Sequence, residues 1–140
     1  MRRDAQSLAR GEAEGLALVL SEPLSFWGGI DVETGTIIDH SHPQRGQIVA
    51  GRVLVMPGGR GSSSASAVLA EAIRLRTAPA AIVLATPDPI LTVGAIVAQF
   101  LYGLQCPIAV CPIDGLATGD PLRVQCEDFG PARVIGPSGR

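Results

Sequence analysis

The middle of the chain alternates strand-like and helix-like segments, and this order constrains the fold more than any other feature. Residues 48–56 are rich in β-branched and apolar side chains, and Pro57, Gly58 and Gly59 end the run, because proline cannot donate to a strand ladder and paired glycines favour a turn. Residues 64–76 carry apolar side chains at helical spacing, residues 80–85 are entirely apolar, and residues 90–102 carry a second helical stripe before Gly103. The pattern predicts a central β-α-β-α unit.

Shorter strands are predicted on both sides of this unit. They cover residues 15–20, 36–39, 108–110, 122–126 and 132–135, with turns rich in glycine, proline and aspartate between them. A chain of 140 residues is long enough for one domain with a real core. We therefore expect a single α/β domain over residues 1–140, with disorder confined to the arginine-bearing first few residues and the tail at 136–140.

The composition excludes several classes of partner. A formal net charge of −2 and 4% aromatic residues provide neither a basic surface nor stacking platforms, so nucleic acid is not expected. The sequence has no uncharged apolar run of about 20 residues and no apolar segment behind the N-terminal arginines, so we expect a cytoplasmic protein that does not bind membranes. Three cysteines, an odd number, predict buried reduced thiols instead of disulfides, at Cys106, Cys111 and Cys126.

The start of the first central helix carries an arginine and three consecutive serines. The segment reads Arg60, Gly61, Ser62, Ser63 and Ser64. The first N–H groups of a helix lack intrahelical partners and the helix dipole is positive there, so a carboxylate or phosphate binds well at such a place. A single serine would serve as an N-cap worth about 1 kcal/mol. Because a helix needs only one cap, the cluster predicts an anion-binding site, here called the serine loop.

Common nucleotide-binding motifs do not match the serine loop. The chain has no lysine, which a Walker loop requires, and the spacing of Gly58, Gly59 and Gly61 differs from the dinucleotide fingerprint.

Two other clusters have simple interpretations. His40 and His42 lie in a predicted turn and are expected to be solvated, since no set of metal ligands surrounds them. Phe26 and Trp27 precede two glycines, which indicates either a turn held by a buried Trp27 or backbone that closely approaches another group. We expect no metal bound by this chain.

Several short segments together resemble one family. In order, they begin at residues 11, 23, 34, 37, 42, 51, 59 and 78 and read GEAEG, PLSFWGGID, TG, IID, HP, GRVLVMP, GRGSS and APAAI. This chain resembles the swivel-domain small subunit of aconitase X over residues 10–103, and the last 35 or so residues match loosely. The resemblance implies a swivelling β/β/α domain, with a small central sheet or barrel flanked by helices.

The resemblance also implies an activity and a partner. Family members are hydro-lyases that dehydrate cis-3-hydroxy-L-proline or mevalonate 5-phosphate, and the small subunit works with a large subunit that carries an iron–sulfur cluster. The archaeal branch usually has Gly-Lys-Gly-Ser-Thr at the loop, whereas Arg60 and Ser63 here look more like the hydroxyproline branch. By this resemblance Ser62 is the proton-abstracting serine. We expect Arg60, Gly61, Ser63 and Ser64 to bind the substrate.

A serine acts as a base only where its alkoxide is stabilised. We expect Arg60 and free backbone amides at residues 63–65 to provide this. Three alternatives stay open: the same fold acting on mevalonate 5-phosphate, a non-catalytic anion-binding module, and a phosphorylated carrier domain. The last is weak because such carriers typically use a histidine, and neither His40 nor His42 begins a helix.

Overall fold

A computed structural model describes residues 1–60 and 62–137. This part of the chain contains nine strands and three helices. The strands are β1 (Arg2–Ala9), β2 (Gly11–Val19), β3 (Ile30–Asp31), β4 (Thr36–Ile37), β5 (Val53–Met56), β6 (Ala81–Leu84), β7 (Ile108–Val110), β8 (Pro121–Cys126) and β9 (Pro131–Ile135). The helices are α1 (Phe26–Gly29), α2 (Ala65–Leu75) and α3 (Pro89–Tyr102).

Seven strands close into a barrel in the order β1-β7-β6-β5-β2-β8-β9, and β9 pairs back to β1. Strands β2, β5, β6 and β7 are parallel, and the other barrel pairings are antiparallel. Strands β3 and β4 form a separate two-stranded sheet. The central β-α-β-α unit is confirmed as β5-α2-β6-α3, and so is the α/β fold with a barrel flanked by helices.

The core has two layers that share the central strands. On β5, Val53 and Val55 pack with residues of β8 and β9 inside the barrel, while Leu54 and Met56 pack with residues of α2 and α3 outside it. This alternation follows from the two-residue period of a strand. Because both faces of β5 and β6 are covered, the two strands are apolar at every position, as predicted.

Helices α2 and α3 are in close contact. A Cβ placed on Gly94 of α3 would lie 2.7 Å from the carbonyl oxygen of Ser66 in the first turn of α2. Only a glycine permits this approach without moving a helix. The contact therefore helps to fix the N-terminal end of α2, where the serine loop joins it.

The expectation of disorder at the chain ends is wrong over most of its range. Residues Arg2–Ala9 form β1, which pairs with β7 and β9. At the other end, the Gly136 N–H donates to the Met1 carbonyl over 2.9 Å, and the Met1 ammonium donates to the Pro137 carbonyl over 2.9 Å. Ser138, Gly139 and Arg140 lie outside the described residues.

Strand boundaries differ from the prediction where glycine changes the backbone direction. β5 begins at Val53 instead of residue 48, because Gly51 has a φ of 71° and the Arg52 N–H turns back to the Val49 carbonyl. β2 begins at Gly11, earlier than predicted. In contrast, α3 ends as predicted at Gly103, whose N–H donates to the Gln99 carbonyl.

Candidate functional site

The serine loop and the start of α3 meet at one rim of the barrel. The loop follows β5, and the turn containing Asp88 follows β6. Because β5 and β6 are neighbouring parallel strands, with Met56 beside Leu84, their carboxyl ends lie at the same edge. This is the place where α/β folds usually bind ligands.

Ser62 is half-buried, and its hydroxyl and carbonyl oxygens accept hydrogen bonds from backbone N–H groups at the start of α2. Its Oγ accepts the Ser64 N–H over 3.2 Å, and its carbonyl accepts the Ala65 N–H over 3.0 Å. The expectation of free amides is therefore wrong for residues 64 and 65. The Ser64 amide instead points at the Ser62 hydroxyl oxygen, which is the donor arrangement that stabilises an alkoxide.

Ser63 and Ser64, the two serines that follow Ser62, face solvent. Ser63 and Ser64 are exposed, and Ser64, at the N-cap position of α2, makes no side-chain capping bond. Their hydroxyls are thus available to a ligand. Gly61, predicted to bind substrate, lies outside the described residues.

Arg60 lies beside Glu22, with Nη2 3.9 Å from Oε1 and about half of each side chain exposed. An exposed ion pair of this length contributes little stability. The guanidinium is therefore able to exchange Glu22 for the carboxylate or phosphate of a ligand at small cost.

A buried histidine holds the segment that carries Glu22. His42 is only 5% exposed, so the expected solvated imidazole is wrong at this position. Its Nδ1 accepts the Gln44 N–H over 3.0 Å, so its Nε2 carries the proton and donates to the Glu22 carbonyl over 3.1 Å. His40 is exposed, as predicted, and contacts Arg45.

Asp39 adds negative charge to the same surroundings. Hydrogen bonds from Ser41, with a smaller contribution from the charge of Arg60, hold the pKa of the Asp39 carboxyl below its ordinary value. Arg60 therefore interacts with two carboxylates, directly with Glu22 and through its charge with Asp39.

Asp88 is a site residue that the sequence reasoning missed. Its Oδ1 accepts the N–H groups of Ile90 and Leu91 over 2.9 and 3.1 Å and so caps α3. Its Oδ2 lies against Gly59, where a Cβ would collide with it. The Asp88-Pro89 pair is a recognisable helix start, with an aspartate cap before a proline in the first turn. That signal identifies the cap, but it does not show that the cap touches the serine loop.

The space beside Ser62 is too small for a substrate. A niche of about 10 Å³ lies there, room for about one water molecule. It is lined by Leu24, Phe26, Gly59, Arg60, Ser62, Ala65, Asp88, Ile90 and Leu91. Small-molecule sites usually measure about 300–1,000 Å³. A cleft of about 680 Å³ beside β1, β8 and β9 is lined by none of the described residues of the serine loop. Ser62 thus lies beside a space that, among the described residues, has no room for a substrate.

The turn that contains Phe26 and Trp27 lies beside the niche. It is not held by a buried Trp27, which was one of its two interpretations. Phe26 is the buried aromatic, at 1% exposed, whereas Trp27 is 58% exposed. Gly28 has a φ of 78°, a conformation that suits glycine. Phe26, and not Trp27, holds the turn against the core.

The cysteines are buried and reduced, as predicted. Burial raises the pKa of Cys106 to about 12 and that of Cys126 to about 11, and it also raises the pKa of Cys111. Iron–sulfur clusters bind thiolates, and within residues 1–60 and 62–137 no three His, Cys, Asp or Glu side chains are grouped to hold a metal. These residues do not fit such a cluster. Nor does this part of the chain include a helix with the length and apolarity needed to cross a bilayer.

The closed seven-stranded barrel with α2 and α3 packed on its outside defines the class of the domain: an α/β barrel with the serine loop joined to the start of α2. Comparison with known families agrees with this class. The model of the aconitase X swivel domain matches residues 2–128, so the chain belongs to the aconitase X swivel-domain family. The match extends beyond residues 10–103, where the resemblance was seen in the sequence.

Three similar proteins define the relationship. The chain is 49% identical over 104 residues to cis-3-hydroxy-L-proline dehydratase of Pseudomonas aeruginosa. This match covers 74% of this chain but only 18% of the length of that protein. It is 45% identical over 98 residues to the phosphomevalonate dehydratase small subunit of Methanothermobacter thermautotrophicus, covering 70% of this chain and 75% of the relative. The crystal structure of Thermococcus kodakaraensis aconitase X superposes with a TM-score of 0.82 at 33% identity, over 95% of this chain and 98% of that chain.

Proposed function

We propose that this chain, as one domain over residues 1–140, is the small subunit of a two-subunit aconitase X-type hydro-lyase that dehydrates cis-3-hydroxy-L-proline. The observation that carries the proposal is Ser62, half-buried on the wall of a niche of about 10 Å³, with the Ser64 N–H directed at its Oγ. A large subunit covers the serine loop and completes the pocket. Buried reduced thiols are consistent with a cytoplasmic location.

In this proposal Ser62 Oγ removes a proton from the substrate carbon adjacent to the carbon that loses its hydroxyl. The Ser64 N–H and the charge of Arg60 stabilise the alkoxide that this step requires. Arg60 binds the substrate carboxylate in place of Glu22, and the backbone at Gly61 and the hydroxyls of Ser63 and Ser64 complete the binding surface. We propose that the large subunit holds the iron–sulfur cluster expected in this family; within residues 1–60 and 62–137 of this chain, no three His, Cys, Asp or Glu side chains are grouped to hold a metal.

Mevalonate 5-phosphate is the second candidate substrate. The loop sequence Arg60 to Ser63 and the 49% identity to the Pseudomonas enzyme favour cis-3-hydroxy-L-proline. Similarity to a small subunit favours the other branch, since the chain is 45% identical to the Methanothermobacter small subunit over 75% of that relative's length. Both substrates carry an anionic group that suits Arg60.

The test is reconstitution with the cognate large subunit, followed by assays with both substrates. We expect turnover of cis-3-hydroxy-L-proline, none of mevalonate 5-phosphate, and none by the isolated chain. Turnover of mevalonate 5-phosphate alone would select the second candidate. Stoichiometric binding of carboxylate or phosphate by the isolated chain, without activity in the complex, would instead support a non-catalytic anion-binding module.

A further inference from the structure

The outward side of α3 is apolar and uncovered. The helix has no charged residue in its 14 positions. Six large side chains on it are exposed by 39–88%, and the five of them without a polar atom define the α3 face: Val93, Ile96, Val97, Phe100 and Leu101. A surface helix normally presents charged or polar residues to water. A contiguous apolar patch of this kind marks an interaction site.

The core does not require these side chains. The inward side of α3 is buried separately, against α2 and the barrel, through Leu91, Gly94, Ala95 and Ala98. The two sets of residues occupy opposite sides of the helix. The α3 face is therefore additional to the packing that folds the domain.

The α3 face is continuous with the niche at Ser62. Pro89, Val93, Ile96 and Phe100 follow one another along one side of the helix, at spacings of three and four residues, over about 16 Å. Pro89 is exposed and directly follows Asp88, which lines the niche. A body that covers the niche from this side continues onto the α3 face.

We propose that the α3 face is a docking surface for the large subunit, whose matching surface is apolar and without unpaired charge. This inference rests on the proposed function, which requires a large subunit over Ser62. The Pseudomonas relative agrees with this choice of partner, because this chain spans 18% of its length and the remainder belongs to the same protein. A second copy of this chain bound to α3 would occupy the space beside the niche. The large subunit needs that same space in order to cover Ser62.

Phe100 offers the sharpest test because it is 88% exposed and because buried aromatic side chains often dominate interface affinity. Phe100→Glu should raise the Kd for the large subunit by roughly 30-fold or more. The matched control is Phe129→Glu, which changes an equally exposed phenylalanine, at 89%, between β8 and β9. We expect the control to leave the Kd unchanged. Circular dichroism verifies that both variants fold, and Leu101→Glu provides a second variant on the same face.

The affinity is measured without substrate, so that the docking and the reaction are tested separately. A complex that forms through α3 but converts neither substrate contradicts the proposed reaction and supports the docking surface. Equal losses for Phe100→Glu and Phe129→Glu, no loss at Phe100 and Leu101, or no complex with the unmodified chain would overturn the proposal. A dimer of the isolated chain in sedimentation, abolished by Phe100→Glu with unchanged affinity for the large subunit, would assign the face to a second copy.

Discussion

Replacing Gly94 by alanine tests the helix contact that fixes the N-terminal end of α2. The new Cβ would lie 2.7 Å from the Ser66 carbonyl oxygen, 3.2 Å from the Ser66 Cα and 3.3 Å from the Leu69 Cβ. Ordinary contacts begin at 3.4 Å, so the helices must separate by 3.4 minus 2.7, or about 0.7 Å. The nearest atoms are backbone, which cannot rotate away.

Two opposing effects set the size of the change. Overpacking of this kind costs about 1–3 kcal/mol. Alanine in place of a helical glycine returns about 1 kcal/mol, largely by restricting the unfolded chain. We expect a net loss of about 1 kcal/mol in the free energy of unfolding and a Tm lower by about 2–4 °C.

Urea unfolding followed by far-UV circular dichroism measures the difference. The control is Val93→Ala, at the preceding position, where the side chain is 51% exposed on the other side of α3. This control gains helix propensity without meeting α2, so its stability should be unchanged or slightly higher. If Gly94→Ala were instead more stable by about 1 kcal/mol, the full propensity gain of alanine, the close contact between α2 and α3 would be refuted.

Two further predictions concern Asp88 and the cysteines. Asp88→Ala removes the acceptor for the two N–H groups at the start of α3 and should lower the free energy of unfolding by about 1 kcal/mol. Asp88→Asn keeps an acceptor oxygen and should retain most of that stability. If Asp88→Ala and the unmodified chain were equally stable in urea unfolding, the capping role of Asp88 would be contradicted. Above pH 9 the unfolded chain loses thiol protons that the folded chain keeps, since Cys106 and Cys126 have pKa values of about 12 and about 11 against 9.0. The free energy of unfolding should therefore fall as the pH rises from about 9 to about 11. Replacing Cys106 and Cys126 by alanine should make that fall shallower in urea titrations. An equally steep fall in the double variant would show that the two thiols are not its cause.

The central unit could be predicted from the sequence because its signals are local. The run at Ala81–Leu84 is fully apolar because that strand is buried. The helical spacing of apolar residues in α2 and α3 likewise reflects the burial of one side of each helix. Strand β1 could not be predicted, because residues Arg2–Ala9 begin with three charged side chains, include one large apolar side chain, and become a strand only through pairing with β7 and β9. Closure of the barrel is likewise a property of distant pairings.

The candidate site was predictable in part for the same reason. The cluster of Arg60 and the three serines is contiguous, so its position at a helix start follows from the sequence. Asp88 and His42 reach the site through long-range contacts, with Gly59 and with the Glu22 carbonyl. No local pattern distinguishes a buried His42 from the solvated histidine expected in that turn. The role of Ser62 stays a prediction.

The most direct test of the central claim is the kcat of the complex of the large subunit with Ser62→Ala. Loss of a catalytic base should lower kcat by about 10²-fold or more, with assembly of the two subunits intact. Ser21→Ala, a serine to alanine change at an exposed position outside the serine loop, serves as the matched control and should keep the unmodified kcat. Turnover of cis-3-hydroxy-L-proline by Ser62→Ala at the rate of this control would contradict the account.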